Sequence, residues 1–204
     1  MNEKEYSLSF TTGAMLHRES MLITEIYLRL GDWGAVRDAV ISENLLQART
    51  QKTLNLTYRE VTSRLRMLSD DELEHLMRAA QQEQRYLLWL AICRRYEFIA
   101  DFAVEVLREN YIHMKSAVTR EEFDSFFERK AEWHPELDAV TPSTRGKLRQ
   151  VLFKMMKEAG LLVDKNTIQP ALFGPEMLSL VRQGRPKDLL CFPLFASIEG
   201  RTSP

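Results

Sequence analysis

The first two thirds of this chain contain very few residues that interrupt a helix. The 204-residue sequence has eight glycines and seven prolines, and most of them lie from Thr141 onward. Glycine and proline destabilise a helix interior most, so the region before Thr141 can form long helices. Its apolar side chains recur at spacings of three and four residues, as on one face of a helix. The sequence therefore predicts a mainly α-helical protein, with Trp33, Trp89 and Trp133 in its core.

Local end signals divide the region up to residue 116 into helices. Gly31 can end the first helix, and Asp32 can cap the second with its carboxylate. Ser69 and Glu72 have the capping-box spacing that opens a fourth helix. The predicted helices are residues 15–30, 32–45, 49–68, a helix beginning at 69, 85–96 and 97–113. We expect them to pack as one α-helical bundle domain, residues 1–116.

A second unit is predicted over residues 117–183. Thr119 opens it with another capping box, because a glutamate follows three residues later. After the helix that this box begins, two prolines bracket a short segment. Ser143 is then predicted to cap a longer helix that ends at Gly160.

A β-hairpin is predicted directly after Gly160. Residues 161–163 and 167–169 are interpreted as two short strands around a polar turn, and Pro170 limits the second strand to a sheet edge. Helix, short helix, helix and hairpin is the order of elements in a winged helix-turn-helix. The remaining segments are a predicted helix and a predicted irregular C-terminal tail, residues 175–183 and 184–204.

The charge of the chain is unevenly distributed. Between Thr141 and Lys187 there are nine Lys and Arg residues against three Asp and Glu, whereas the remainder holds nineteen basic and twenty-six acidic residues. The overall charge of −1 therefore combines a segment near +6 with a remainder near −7. A basic surface attracts nucleic acid and gains free energy by releasing condensed counterions. This pattern favours a polyanionic partner.

The helix after Ser143 has two opposite faces. Its apolar arc consists of Leu148, Val151, Leu152, Met155 and Ala159. The opposite arc carries Lys147, Gln150, Lys154 and Lys157. Such a helix fits the major groove of double-stranded DNA, where lysine can pair with guanine and glutamine with adenine. We expect Ser143, Thr144 and Arg145 to contact phosphate, and Lys165 at the hairpin tip to be the wing contact. The alternative is an ordinary solvated helix face.

The third predicted helix is a second candidate DNA-binding surface. Its cations, which face the single acid Glu60, are Arg49, Lys52, Arg59, Arg64 and Arg66. Hydroxyl and amide side chains on the same helix add donors that suit phosphate contacts. Residues 32–66 could themselves form a helix-turn-helix. In the competing interpretation the apolar positions pack inward and the arginines pair with acids of neighbouring helices.

The sequence contains no recognisable catalytic or metal-binding motif. Its histidines are scattered, with no pair at helical spacing, no HExxH and no Cys/His cluster, so a metal site lacks support. It also lacks the phosphate-binding patterns GxGxxG and GxxxxGK[ST]. We therefore expect a protein that is not an enzyme and has no cofactor, no metal and no small-molecule substrate.

Three features bear on the location of the protein. The longest apolar run, residues 86–93, is far shorter than the ~20 residues that cross a membrane. The first residues lack the basic and apolar regions of an export signal. Cys93 and Cys191 have neither metal-ligand spacing nor the density of a disulfide scaffold. We expect a cytoplasmic protein with free thiols and no membrane partner.

Several short strings of this sequence resemble the BrxA family, whose members are small accessory proteins of BREX bacteriophage-exclusion systems. The resemblance covers about residues 10 to 163 and rests on Phe10-Thr11-Thr12-Gly13-Ala14, Glu19-Ser20, Leu28-Arg29-Leu30-Gly31-Asp32-Trp33, Glu43-Asn44-Leu45-Leu46-Gln47-Ala48-Arg49-Thr50, Arg59-Glu60, Arg64-Leu65, the helix from Tyr96 to Leu107, His134-Pro135-Glu136-Leu137, and Ser143-Thr144-Arg145 to Gly160-Leu161-Leu162.

This resemblance implies an all-helical N-terminal region of NusB-like character and a DNA-binding role. It also implies that the protein acts in a multi-protein defence complex with a DNA methyltransferase and an ATPase. The resemblance indicates no catalytic residues. Residues and resemblance together predict a non-enzymatic DNA-binding accessory component of a BREX phage-defence system. The alternatives are an RNA-binding factor of NusB type and a protein-interaction scaffold within the defence complex.

Overall fold

The computed structural model describes residues 5–195, and helices dominate this part of the chain. In chain order the α-helices are α1 (His17–Leu30), α2 (Trp33–Ser42), α3 (Gln51–Leu65), α4 (Asp70–Arg78), α5 (Gln81–Arg95), α6 (Glu97–Phe102), α7 (Glu109–Ile112), α8 (Arg120–Ala131), α9 (Pro135–Asp138), α10 (Pro142–Glu158) and α11 (Pro175–Gly184). A π-helical segment and two 3-10 helices complete the set: Ala103–Arg108 between α6 and α7, Asp164–Asn166, and Pro186–Cys191. The prediction of a mainly α protein is confirmed.

The helix ends follow the local signals in the sequence at several places. Gly31 adopts the left-handed conformation after α1, with φ of 69°, and its N–H donates to the Tyr27 carbonyl. The Asp32 carboxylate accepts a hydrogen bond from the Ala35 N–H at the start of α2. Ser69 opens α4, and Thr119 opens α8, with complete capping boxes. These ends need only neighbouring residues, so the sequence alone could predict them.

The prediction that Ser143 caps α10 is wrong. Thr141 is the cap: its backbone is extended, and its side chain accepts a hydrogen bond from the Thr144 N–H over 3.2 Å. Pro142 then occupies the first helical position, where a missing N–H is tolerated. Ser143 therefore lies inside the first turn, with an exposed side chain.

One continuous apolar core joins the segments before and after residue 116. Phe98 of α6 is completely buried in it, and its ring centroid is 5.3–6.1 Å from those of Phe123, Phe126 and Phe127 of α8. Aromatic contacts of this kind stabilise the packing of α8 on α6 beyond simple burial. The domain boundary at residue 116 stays a prediction.

The predicted hairpin is present only as isolated bridges. Leu162 pairs with Ile168, and the Val163 N–H donates to the Thr167 carbonyl over 2.9 Å. Asp164–Asn166 forms a 3-10 turn between the two segments, with Lys165 at a φ of 56°. On its other side this segment pairs with residues 116–118 through the bridge between Ala117 and Thr167.

The segment after α11 was predicted to be irregular, and over its first part this prediction is wrong. The 3-10 helix Pro186–Cys191 packs against the π-helical segment and α5. The Trp89 indole N–H donates to the Cys191 carbonyl over 2.9 Å, and Phe192 is completely buried. Tertiary contacts thus order a segment that has no strong local signal. Residues 196–204 of the predicted tail lie outside the described residues.

The three tryptophans differ in their exposure to solvent. Trp89 is completely buried as predicted, but the prediction of a core position for Trp133 is wrong, because its side chain is 72% exposed just after α8 ends. Trp33 is half-buried. Within residues 5–195, no helix is long and apolar enough to cross a membrane.

Candidate nucleic-acid interface

The predicted division of α10 into two faces is present in the structure. The five predicted inward residues, Leu148, Val151, Leu152, Met155 and Ala159, are buried. The four predicted outward residues, Lys147, Gln150, Lys154 and Lys157, are exposed. The last of these lies ten positions after the first, so they extend over about 15 Å of the helix. This exposed row is called the α10 face below.

The lysines of the α10 face have few competing partners. Lys154 lies 3.6 Å from the Glu158 carboxylate, and Lys147 donates to the Gln150 amide oxygen over 3.4 Å. Among residues 5–195, no carboxylate lies within salt-bridge distance of Lys147 or Lys157. The pair of Lys154 and Glu158 is exposed on both sides, and such pairs contribute little stability, about 0–1 kcal/mol. All three ammonium groups can therefore reach an external anion.

Arg145, in contrast, is occupied within the protein. Its guanidinium donates to the Asp124 carboxylate over 3.2 Å, to the Asp124 carbonyl over 2.8 Å and to the Glu128 carboxylate over 3.1 Å. It also lies over the Phe127 ring, 4.7 Å from the centroid. Arg149 shares the same acid, with 2.6 Å to the second Asp124 oxygen. These contacts attach α10 to α8.

A concavity of about 440 Å³ brings further residues to the α10 face. Arg120 at the start of α8 lines it, together with Gln150, Lys154 and Lys157. Asn166 lines it from the 3-10 turn, so this turn lies beside α10. Lys165, next to Asn166, is exposed.

The start of α10 places the two other predicted phosphate contacts on the surface. Ser143 and Thr144 are both exposed. The Thr144 hydroxyl already shares a hydrogen bond of 2.9 Å with the Thr141 hydroxyl, as part of the cap. The Ser143 side chain is thus the less engaged of the two.

The α3 cations separate into two groups. Arg64 is buried, 2.8 Å from the Glu60 carboxylate in its own helix, and donates to the Ala14 carbonyl. Arg49, Lys52 and Arg59 are exposed, and no carboxylate of residues 5–195 lies within salt-bridge distance of them. The competing interpretation is confirmed for Leu54, Val61 and Leu65, which are buried. Its other half, pairing with acids of neighbouring helices, does not hold for these exposed cations.

Comparison with known proteins decides the family. The family model for BrxA matches residues 4–184. The chain belongs to the BrxA family. A BREX protein BrxA from Escherichia coli O9:H4 (strain HS) is 22% identical over 191 residues, which are 93% of this chain and 90% of that protein. A BREX protein BrxA from Paramagnetospirillum magneticum (strain ATCC 700264 / AMB-1) is 21% identical over 185 residues, 90% of this chain and 93% of that protein.

The fold is also similar to that of a solved structure. A crystal structure of an uncharacterized protein from Magnetospirillum magneticum superposes with a TM-score of 0.79 at 19% identity, covering 92% of this chain and 97% of that one. The BrxA fold of the present chain therefore has an experimental counterpart. Membership of this family of BREX systems supports a role in phage defence.

Some residues that line the cationic concavities of this BrxA-family chain could not be predicted from the sequence. Arg120 and Asn166 reach the α10 face only through the tertiary fold, and Arg37 of α2 lines a concavity with Lys52 and Arg59 of α3. No local pattern marks these positions. Among the described residues, no group of three or more His, Cys, Asp or Glu is arranged to hold a metal ion.

Proposed function

We propose that this chain is a non-enzymatic, DNA-binding accessory protein of a BREX phage-defence system, and that it acts in the cytoplasm. The α10 face, with the turn beside it, is the main contact surface for double-stranded DNA. One observation carries the proposal: Lys147, Lys154 and Lys157 lie on one exposed row of a helix whose other side is buried. Such a row can enter the major groove and reach both base edges and phosphates.

The order of elements around α10 supports a winged helix-turn-helix. The helices α8, α9 and α10 follow one another, and the bridged segments on either side of Asp164–Asn166 come next. In this interpretation α10 is the recognition helix, and the turn with Lys165 is the wing. Residues 116–118 pair with the far side of the wing and support it.

The family supports the remaining parts of the proposal. We propose a NusB-like character for the N-terminal bundle, and a DNA methyltransferase and an ATPase of the BREX system as protein partners. The two alternatives are RNA binding and a purely protein-interacting role, in which the basic face meets an acidic partner. RNA binding is less favoured, because the deep major groove of A-form RNA hides its base edges from an inserted helix.

A salt titration of DNA affinity tests the proposal. The purified chain is expected to bind a mixed-sequence duplex of about three helical turns at low salt. Each phosphate contact contributes about 0.9 to the slope of log affinity against log salt. Lys154→Gln combined with Lys157→Gln should therefore reduce the magnitude of this negative slope by up to about 1.8. A charge-matched control is Arg182→Gln combined with Lys187→Gln, which changes exposed cations of α11 and of the 3-10 helix after it.

The outcomes separate the candidate functions. A slope that falls for the α10 variant and not for the control supports the α10 face. Equal slopes would mean that these lysines only solvate the surface. Preference for structured RNA over duplex DNA of equal length would favour the RNA-binding alternative, and absence of binding to either at low salt would favour the protein-interaction role.

A further inference from the structure

A second cationic surface lies between α2 and α3, away from α10. Lys52, Arg59 and Arg66 follow one another at intervals of seven residues, so they occupy one row of α3 and its end. Each interval corresponds to about 10 Å along the helix. The three side chains line a concavity of about 640 Å³ together with Arg37 of α2 and the exposed amide of Asn55. This concavity is called the α2–α3 groove.

Within residues 5–195, three of the four cations of the α2–α3 groove have no acidic partner. For Lys52, Arg59 and Arg66, no carboxylate among the described residues lies within salt-bridge distance. Arg37 lies 4.0 Å from Asp38, but both side chains are largely exposed, at 65% and 82%, so this contact is weak. A concave row of unpaired cations attracts a polyanion.

The length of this row suits a duplex backbone. Lys52 to Arg66 extends over about 21 Å, which corresponds to about six base-pair steps of 3.4 Å along the duplex axis. Arginine donates from a planar fork that matches a phosphate group. Between the two terminal cations, Arg59 and Asn55 supply further donors on the same side of α3.

The aromatic residue Tyr58, which lines the groove, and the aromatic pair beside Arg66 are already engaged. Trp33 is stacked on Tyr27, with ring centroids 4.0 Å apart, and the Arg66 guanidinium lies over the Trp33 ring at 5.3 Å. Tyr58 is buried, and its hydroxyl donates to the Trp33 carbonyl. Binding of single strands relies on aromatic faces on which bases stack. The groove therefore fits a paired backbone better than unpaired bases.

We propose that the α2–α3 groove is a second contact surface for the phosphate backbone of double-stranded DNA, separate from the α10 face. The inference deepens the proposed function, because it assumes the same ligand. The groove and the concavity at α10 share no lining residue. The two surfaces should therefore contribute independently to the affinity for DNA and to its salt dependence.

The experiment compares three charge-matched double variants of the full chain with the same duplex. The groove variant is Lys52→Gln with Arg59→Gln, the α10 variant is again Lys154→Gln with Lys157→Gln, and the control is Arg182→Gln with Lys187→Gln. All six side chains are exposed. Far-UV circular dichroism and the thermal midpoint should match those of the unmodified chain, which shows that each variant is folded.

We expect the groove variant to reduce the magnitude of the salt slope by up to about 1.8 relative to the control. The combined groove and α10 variant should reduce it by the sum of both effects. A groove variant that behaves like the control, while the α10 variant loses slope, overturns the groove proposal and leaves the proposed function intact. The groove would then be free for an acidic protein partner. The reverse result overturns the assignment of the α10 face and supports the groove.

Discussion

Arg94 and Glu72 form a bidentate ion pair in which Nη1 donates to Oε2 and Nη2 to Oε1, each over 2.6 Å. Both side chains are almost completely buried, and Arg94 Nε also donates to Asp188 over 2.8 Å. Glu72 belongs to α4, Arg94 to α5 and Asp188 to the C-terminal 3-10 helix. This buried cluster therefore joins the segment after α11 to the bundle.

We expect Arg94→Met to destabilise the fold by about 3–5 kcal/mol, because it leaves two buried carboxylates without their cation. Urea unfolding followed by circular dichroism measures this loss. The matched control is Arg78→Gln, which removes an exposed pair with Glu176 and should cost less than about 1 kcal/mol. Equal losses for the two variants would contradict the role of the Arg94 cluster.

Stability should fall in acid, in part through Glu72. Burial by itself raises the pKa of this carboxyl, but the hydrogen bonds from Arg94 and Ser69 outweigh burial and hold its pKa below the usual 4.5. A carboxyl with a lowered pKa in the folded state contributes stability above its unfolded pKa and loses it as the pH falls through the folded pKa. Unfolding free energies measured between neutral pH and acid should therefore decline below about 4.5.

Glu72→Gln should remove part of this acid-dependent loss, so the dependence on pH becomes flatter. The control is Glu74→Gln on the exposed side of the same helix. Asp188 acts in the opposite sense, because burial raises its pKa in spite of Arg94. If Glu72→Gln and Glu74→Gln gave the same pH profile, the carboxylate of Glu72 would not be the group responsible.

The start of α10 offers a direct comparison of two hydroxyl residues. Thr141→Ala should destabilise the chain by about 1 kcal/mol, because it removes the side chain that caps the helix. Ser143→Ala should change the unfolding free energy by less than about 0.5 kcal/mol, because Ser143 is exposed inside the first turn. Chemical denaturation of both variants decides between them, and a larger effect at Ser143 would mean that the cap is misplaced.

Arg145 should affect the fold rather than DNA binding. Its contacts with Asp124, Glu128 and Phe127 hold it against α8, so we expect Arg145→Gln to cost about 1–3 kcal/mol of stability. The salt slope of DNA binding should stay close to that of the unmodified chain. A drop in slope near 0.9 at unchanged stability would show instead that Arg145 contacts a phosphate.

Lys147 and Gln150 should affect the choice among DNA sequences. Both side chains are exposed and lie within 3.4 Å of each other, in the half of the α10 face that follows the helix start. Lys147→Ala and Gln150→Ala should each reduce discrimination between duplexes by roughly 1–3 kcal/mol if the side chain pairs with a base. Competition binding with a randomised duplex pool measures the preference, and an unchanged preference would limit these residues to general attraction.

The sequence by itself determined the features that depend on neighbouring residues. The two faces of α10 follow from helical spacing, and the ends at Gly31, Ser69 and Thr119 follow from side chains that bond within one turn. Short family strings within residues 10–163 were also enough to suggest the BrxA family. The winged helix-turn-helix and the NusB-like bundle stay predictions.

Only the tertiary structure decided which cations are available to a ligand. Arg145 is held by acids about twenty residues away in the chain, whereas no acid of residues 5–195 lies within salt-bridge distance of Lys52 or Arg59. Spacing within one helix contains no information on either point. The same holds for Phe192, which is buried in a segment without a strong local signal, and for Trp133, which is exposed beside a helix. The physical reason is that burial and ion pairing depend on which surfaces meet in space, and this depends on the packing of the whole chain.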